Sequence, residues 1–155
     1  MNKYKKIINV LIKESFPILR KKKIYISFFF ISEKYSGGAF WILPFWRVLF
    51  INKKRQFTKK QLTGLLAHEL GHFELFQKRG WFISLFAGIK YWTSSKFRKK
   101  EEDNVNKLII KKGYAKGYYN LTKKFHNPKV KSFKYYLSSE EIKQYTIKIK
   151  KWQPY

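Results

Sequence analysis

LLAHELGHF, residues 65–73, sets two histidines four positions apart with a glutamate beside the first. Residues at i and i+4 leave a helix from one face, so the imidazoles of His68 and His72 can converge on one ion at Zn–N distances of about 2.0–2.1 Å. Glu69 then points along the helix toward the open side of that ion. A carboxylate there can act as general base on a water whose pKa zinc lowers to about 7. The competing reading is a leucine-rich helix that acquired two histidines by chance. Against it, the chain holds three histidines, and two of them fall in this register. Gly71, a poor helix former inside a well-patterned helix, fits a packed site that needs close backbone approach. The motif predicts a Zn2+ site with His68 and His72 as ligands and Glu69 as the catalytic base.

The flanks place this motif on one long helix. In QFTKKQLTGLLAHELGHFELFQKRG, Thr58 and Gln61 have the spacing of a capping box and Gly80 stands where a C-cap glycine belongs. Apolar residues cover much of its circumference, which predicts a buried central helix. Upstream, residues 3–20 place Tyr4, Ile7, Ile8, Leu11 and Ile12 on one helical face, ending near Pro17. IYISFFFIS (24–32), AFWIL (39–43) and WRVLFIN (46–52) are rich in β-branched and aromatic residues and read as strands. Ser36-Gly37-Gly38 reads as a turn, and Pro44 separates the last two strands. The front third is therefore expected to be a small, mostly antiparallel sheet, and the fold class α+β.

Downstream, a helix is expected from about Ser95 to a C-cap at Gly113. Residues 114–155 are basic and aromatic, with a break at Pro128 and a last helix opening at Ser138, where Ser138 and Glu141 repeat the capping-box spacing.

A third ligand selects the subclass of zinc site. A metzincin would carry glycine and histidine where this chain has Leu75 and Lys78, so that solution fails. A His₂Glu site with the fourth position left to water is the common alternative. The downstream helix with acidic residues is EEDNVNKLIIKKGY (101–114), in which Glu102, Val105, Asn106 and Ile109 share a face. Glu102 is the expected ligand, with Glu101 as its substitute. Glu74 lies on a different face from the histidines and reads as a surface charge.

LLAHELGH followed by EEDNVNKLIIKKGY resembles the gluzincin zinc metallopeptidases, particularly the minigluzincins and their membrane-embedded relatives, over about residues 24–114. Those proteins follow the active-site helix with a glutamate helix of pattern E-x-x-A-D ending near Gly-Tyr. Counting back from Gly113 and Tyr114 puts Glu102 at the ligand, Val105 at the alanine and Asn106 at the aspartate. The resemblance implies a zincin-like fold, with the sheet packed on an active-site helix and a glutamate helix. It also implies an aspartate-type support for a ligand histidine, here supplied without charge by the Asn106 side-chain oxygen. A peptide would bind in extended form along an edge strand, for which WRVLFIN is the candidate beside its reading as an ordinary core strand. An oxyanion-stabilising donor is expected near the zinc, with His126, Tyr114, Tyr118 and Tyr119 as candidates. WFISLFAGIKYW (81–92) falls where the membrane relatives carry spans. It is too short to cross a bilayer and reads as a hydrophobic lid or core loop, or as a segment that dips into a membrane interface.

Composition bounds the alternatives. At 155 residues the chain suits a single domain: an N-terminal helix (1–20), a catalytic core (24–113) and a basic aromatic C-terminal segment (114–155). Its content is 45% apolar and 20% aromatic, enough to fold despite a formal net charge of +26. That charge fits a polyanionic partner, either nucleic acid or an anionic membrane. With no cysteine there is no disulfide scaffold, no thiolate ligand and no thiol nucleophile. Lys13 and Glu14 interrupt the first apolar stretch before a secretory core could form, so a cytoplasmic location is expected, peripheral to a membrane where such contact occurs. The leading reading is a zinc-dependent endopeptidase acting on peptides or unfolded proteins. The alternative is a basic protein that binds nucleic acid or anionic membrane and whose zinc site is structural or degenerate.

Overall fold

The computed structural model describes residues 3–28, 35–42, 46–125 and 134–150. Pro44, His126 and Pro128 lie outside these residues. Among the described residues the order is α1 (Lys3–Glu14), a 3-10 turn (Pro17–Leu19), β1 (Ile24–Ser27), β2 (Gly37–Ile42), β3 (Trp46–Ile51), α2 (Lys59–Arg79), α3 (Trp81–Thr93), α4 (Ser95–Lys111), α5 (Ala115–Phe125) and α6 (Ser139–Lys148). The class is α+β, as expected.

α2 is the axis of the molecule. Its start is fixed by the capping box, in which Gln61 N–H donates to Thr58 Oγ1 at 3.2 Å and Thr58 N–H donates to Gln61 Oε1 at 3.0 Å. Its end is Gly80, whose φ of 82° is a conformation that side-chain-bearing residues rarely adopt. Between these caps α2 packs against α1, β2, α3, α4 and α5, so it is buried on most sides. The apolar core built around it takes Leu11 from α1, Leu49 from β3, Leu66 and Leu70 from α2, Ile109 from α4 and Ile142 from α6.

The sheet differs from expectation. Its order is β1-β3-β2, with β2 antiparallel to β3 but β1 parallel to it, so the sheet is mixed rather than mostly antiparallel. WRVLFIN therefore forms the central strand, hydrogen-bonded on both sides, and offers no edge to a peptide. β2 is the edge strand on the other side of it. Gly37 and Gly38 are not a turn: both belong to β2, paired with Ile51 and Phe50. Gly37 is needed there because a Cβ would sit 2.8 Å from the Phe50 carbonyl oxygen and 3.3 Å from Leu65 of α2.

The helices downstream follow their caps. Ser94 accepts from Phe97 N–H to start α4, and Gly113, at φ 92°, ends it. Ser138 and Glu141 make the expected capping box before α6. The N-terminal helix stops at Glu14, earlier than residue 20, and Pro17 begins the 3-10 turn. Two elements were not anticipated. Residues 81–93 form a helix, α3, rather than a loop, with Ser84 its one buried residue. Residues 115–125 form α5, which crosses α2 closely enough that a Cβ on Gly64 would lie 2.4 Å from the carbonyl carbon of Gly117. The two glycines make that backbone contact.

Candidate metal centre

His68 and His72 stand one turn apart on α2, and Glu102 reaches them from α4. Gly71 lets α4 approach, since a Cβ there would meet Val105 at 3.0 Å and Ile109 at 3.3 Å. The larger Val105, where the resembled pattern has alanine, is accommodated by this missing side chain.

Three atoms converge: His68 Nε2 to Glu102 Oε2 is 3.2 Å, His72 Nε2 to Glu102 Oε2 is 3.5 Å, and the two Nε2 atoms are 3.3 Å apart. A tetrahedral ion with ligands at about 2.0–2.1 Å has ligand-to-ligand edges of about 3.3 Å, so this triangle matches one face of a zinc tetrahedron. Glu102 is fully buried, and among the described residues its Oε2 faces the two histidine Nε2 atoms. A buried carboxylate oxygen needs a cation or a proton donor, and two neutral imidazoles turned to it through Nε2 can share a cation with it. The residues present therefore fit zinc.

The surroundings hold these groups in place. Tyr91 of α3 donates its hydroxyl to Glu102 Oε1, fixing the carboxylate with Oε2 toward the histidines. The Tyr118 ring lies parallel to His68 with centroids 4.9 Å apart. Arg98 sits over the Tyr91 ring at 4.9 Å. Burial pushes the Glu69 carboxyl above the ordinary carboxylate range; His68 and His72 oppose this, Glu102 adds to it, and an Ala39 backbone hydrogen bond opposes it. For Glu102, burial raises the carboxyl most, but the combined pull of His72 and of hydrogen bonds from both histidines leaves it well below the usual range. For His72, burial lowers the imidazole, and the attraction of Glu102 outweighs it and leaves it raised.

The site opens into a groove of about 560 Å³. Edge strand β2 (Gly37 to Trp41) forms one wall and the inner side of α3 another, with His68, Glu69, His72 and Glu102 at the base. Tyr136 borders the groove beside His68 and Glu69.

Several expected residues fall elsewhere. Glu101 makes a two-pronged pair with Arg79 and stands outside the cluster of His68, His72 and Glu102. Glu74 is not a surface charge: it is 4% exposed and paired with Lys78 at 2.6 Å and Lys112 at 3.1 Å, away from the metal ligands. Asn106 does not support a ligand histidine. Its amide and His68 Nδ1 are both buried without a hydrogen-bond partner among the described residues. Of the candidate oxyanion donors, Tyr118 lies at the site, whereas Tyr114 hydrogen-bonds Ser15 at 2.6 Å beside α1. Tyr119 does not line the groove, and His126 is outside the described residues. Tyr91 and Tyr136 at the groove were missed as site residues. Tyr91 carried a signal, its place near one end of an apolar segment just before the glutamate helix. Tyr136 carried none.

The chain matches no protein-family model, no curated protein and no solved structure. The functional reading therefore rests on the geometry.

Proposed function

We propose that the chain is a zinc-dependent endopeptidase of zincin-like fold, with His68, His72 and Glu102 as metal ligands and Glu69 as general base. The observation that carries this reading is the triangle of three ligand atoms at the base of an open groove, with a buried second carboxylate alongside. Zinc bound there supplies a Lewis acid that polarises a carbonyl and makes water acidic enough to deprotonate near neutral pH. Glu69, with its raised carboxyl, takes a proton from water as the water oxygen forms its bond to the peptide carbonyl carbon. It then delivers that proton to the amide nitrogen as the C–N bond breaks, leaving a carboxylic acid and an amine. Tyr136 stands at the groove beside Glu69, where a phenol can donate to the developing oxyanion.

The substrate backbone lies along β2, not along WRVLFIN. β2 is the sheet edge that borders the groove, and an extended peptide can hydrogen-bond to such an edge without its sequence being read closely. The test is Glu69→Gln. It keeps the volume and the ligands while removing the base, so zinc content and the unfolding midpoint should stay unchanged and hydrolysis of an unfolded protein substrate should fall by at least about 100-fold. Equal hydrolysis by both proteins, or none by either at full zinc occupancy, rejects the peptidase reading.

A further inference from the structure

Helix α3 stands largely clear of the protein. Phe82 is 70% exposed, Ile83 63%, Phe86 65%, Ile89 62% and Trp92 71%. A helix apolar on nearly all sides is normally enclosed by protein or by lipid, and an exposed apolar patch of this extent marks an interaction surface. The inner side of α3 has its own role as a groove wall, through Leu85, Gly88 and Tyr91, and Trp81, Ile89 and Trp92 border both the groove and solvent. Phe82, Ile83 and Phe86 do not line the groove.

Charge frames this patch. No acidic residue occurs between positions 75 and 100, while Lys78, Arg79, Lys90, Lys96, Arg98, Lys99 and Lys100 do. Lys21, Lys22 and Lys23 share a cleft with Trp46 and Trp81 at the N-terminal end of α3, and Trp46 is itself 57% exposed. Lys96, Lys99 and Lys100 line a second surface cleft on α4, just beyond the other end. Trp81 and Trp92 stand about 16 Å apart along the helix axis, and indole rings favour the headgroup level of a bilayer.

We infer that α3 docks the chain on an anionic lipid surface, with Phe82, Ile83 and Phe86 in the apolar layer and the flanking lysines at the headgroups. The combination of apolar face and basic rim selects this occupant. A second copy would bring lysine against lysine on chains of formal charge +26 each. Nucleic acid offers the charge but no apolar layer for the phenylalanines. An anionic interface offers both. Thirteen helical residues reach about 20 Å, short of the ~30 Å hydrocarbon core, and no described helix is long and apolar enough to cross a membrane. α3 therefore lies on the bilayer. Resting additionally on the peptidase reading, docking by the groove wall narrows the substrate class to polypeptide segments held at the membrane surface.

The experiment is flotation of the full chain with phosphatidylcholine vesicles, with and without phosphatidylglycerol, alongside quenching of tryptophan fluorescence by brominated acyl chains. The wild type should float with the anionic vesicles and be quenched. Phe82→Ser/Phe86→Ser, two changes at exposed positions, should keep its circular dichroism spectrum and lose at least about 10-fold in partitioning. Equal partitioning of both proteins without quenching would reduce the effect to general polycation attraction and overturn the docking surface. So would a lipid-free dimer that the same substitutions dissociate. Hydrolysis of a soluble peptide should be equal in the two proteins. Vesicle binding without any hydrolysis rejects the peptidase reading alone, and hydrolysis without vesicle binding rejects the docking alone.

Discussion

Tyr91 donates its hydroxyl hydrogen to Oε1 of Glu102, which leaves Oε2 as the carboxylate atom facing His68 and His72. A residue on α3 thus orients a carboxylate carried by α4. Groups that orient a metal ligand from behind typically set about 10–100-fold in metal affinity. Tyr91→Phe should weaken zinc binding by that factor with the fold unchanged, as read by competition with a chromogenic chelator. Unchanged affinity would mean that Glu102 is held by packing alone.

The contact between Gly64 and Gly117 sets how closely α5 crosses α2, and with it the placement of Tyr118 against His68. A methyl group at position 64 would lie 2.4 Å from backbone atoms of residues 117 and 118, which cannot move aside as a flexible side chain can. Gly64→Ala should cost about 1–3 kcal/mol in urea unfolding. Gly88→Ala in α3 meets nothing within 4 Å and should be neutral or stabilising by up to about 1 kcal/mol. Equal effects from the two substitutions would contradict the packing described for the crossing.

Glu74 is buried between Lys78 and Lys112 and belongs to the scaffold, not to the metal site. Glu74→Gln removes the charge that both lysines face. It should destabilise the protein by roughly 2 kcal/mol, the scale of a hydrogen bond to a charged group, and leave zinc stoichiometry intact. Loss of zinc with no loss of stability would reverse that assignment.

What the sequence made legible was what local rules determine. Thr58 with Gln61 and Ser138 with Glu141 announce helix starts because their side chains satisfy backbone groups only a few residues away. Gly80 and Gly113 announce ends because few other residues adopt their backbone angles. His68, Glu69 and His72 are ordered by helical geometry within one turn, and the shared face of Glu102, Val105, Asn106 and Ile109 pointed to Glu102, the acid that the fold brings to the two histidines, over Glu101. What failed depended on distant partners. α5 was missed because Gly117 disfavours a helix locally and is justified only by Gly64, far back in the chain. For WRVLFIN the sequence left edge and core strand both open, and the strand order put it at the centre, because pairing is decided between strands and alternation along one strand does not name its neighbour. Glu74 looked like a surface charge because Lys112, which buries it, comes from another helix. Tyr136 came to the groove by tertiary folding alone.

The proposed function requires one zinc ion on His68, His72 and Glu102. The most direct measurement is the zinc-to-protein ratio by elemental mass spectrometry after chelator stripping, reloading and desalting. The wild type and Glu101→Gln should each retain one zinc per chain, and Glu102→Gln should retain essentially none while still folded by circular dichroism. Full zinc retention in Glu102→Gln, or no zinc in the wild type, would contradict a zinc site built on these three residues.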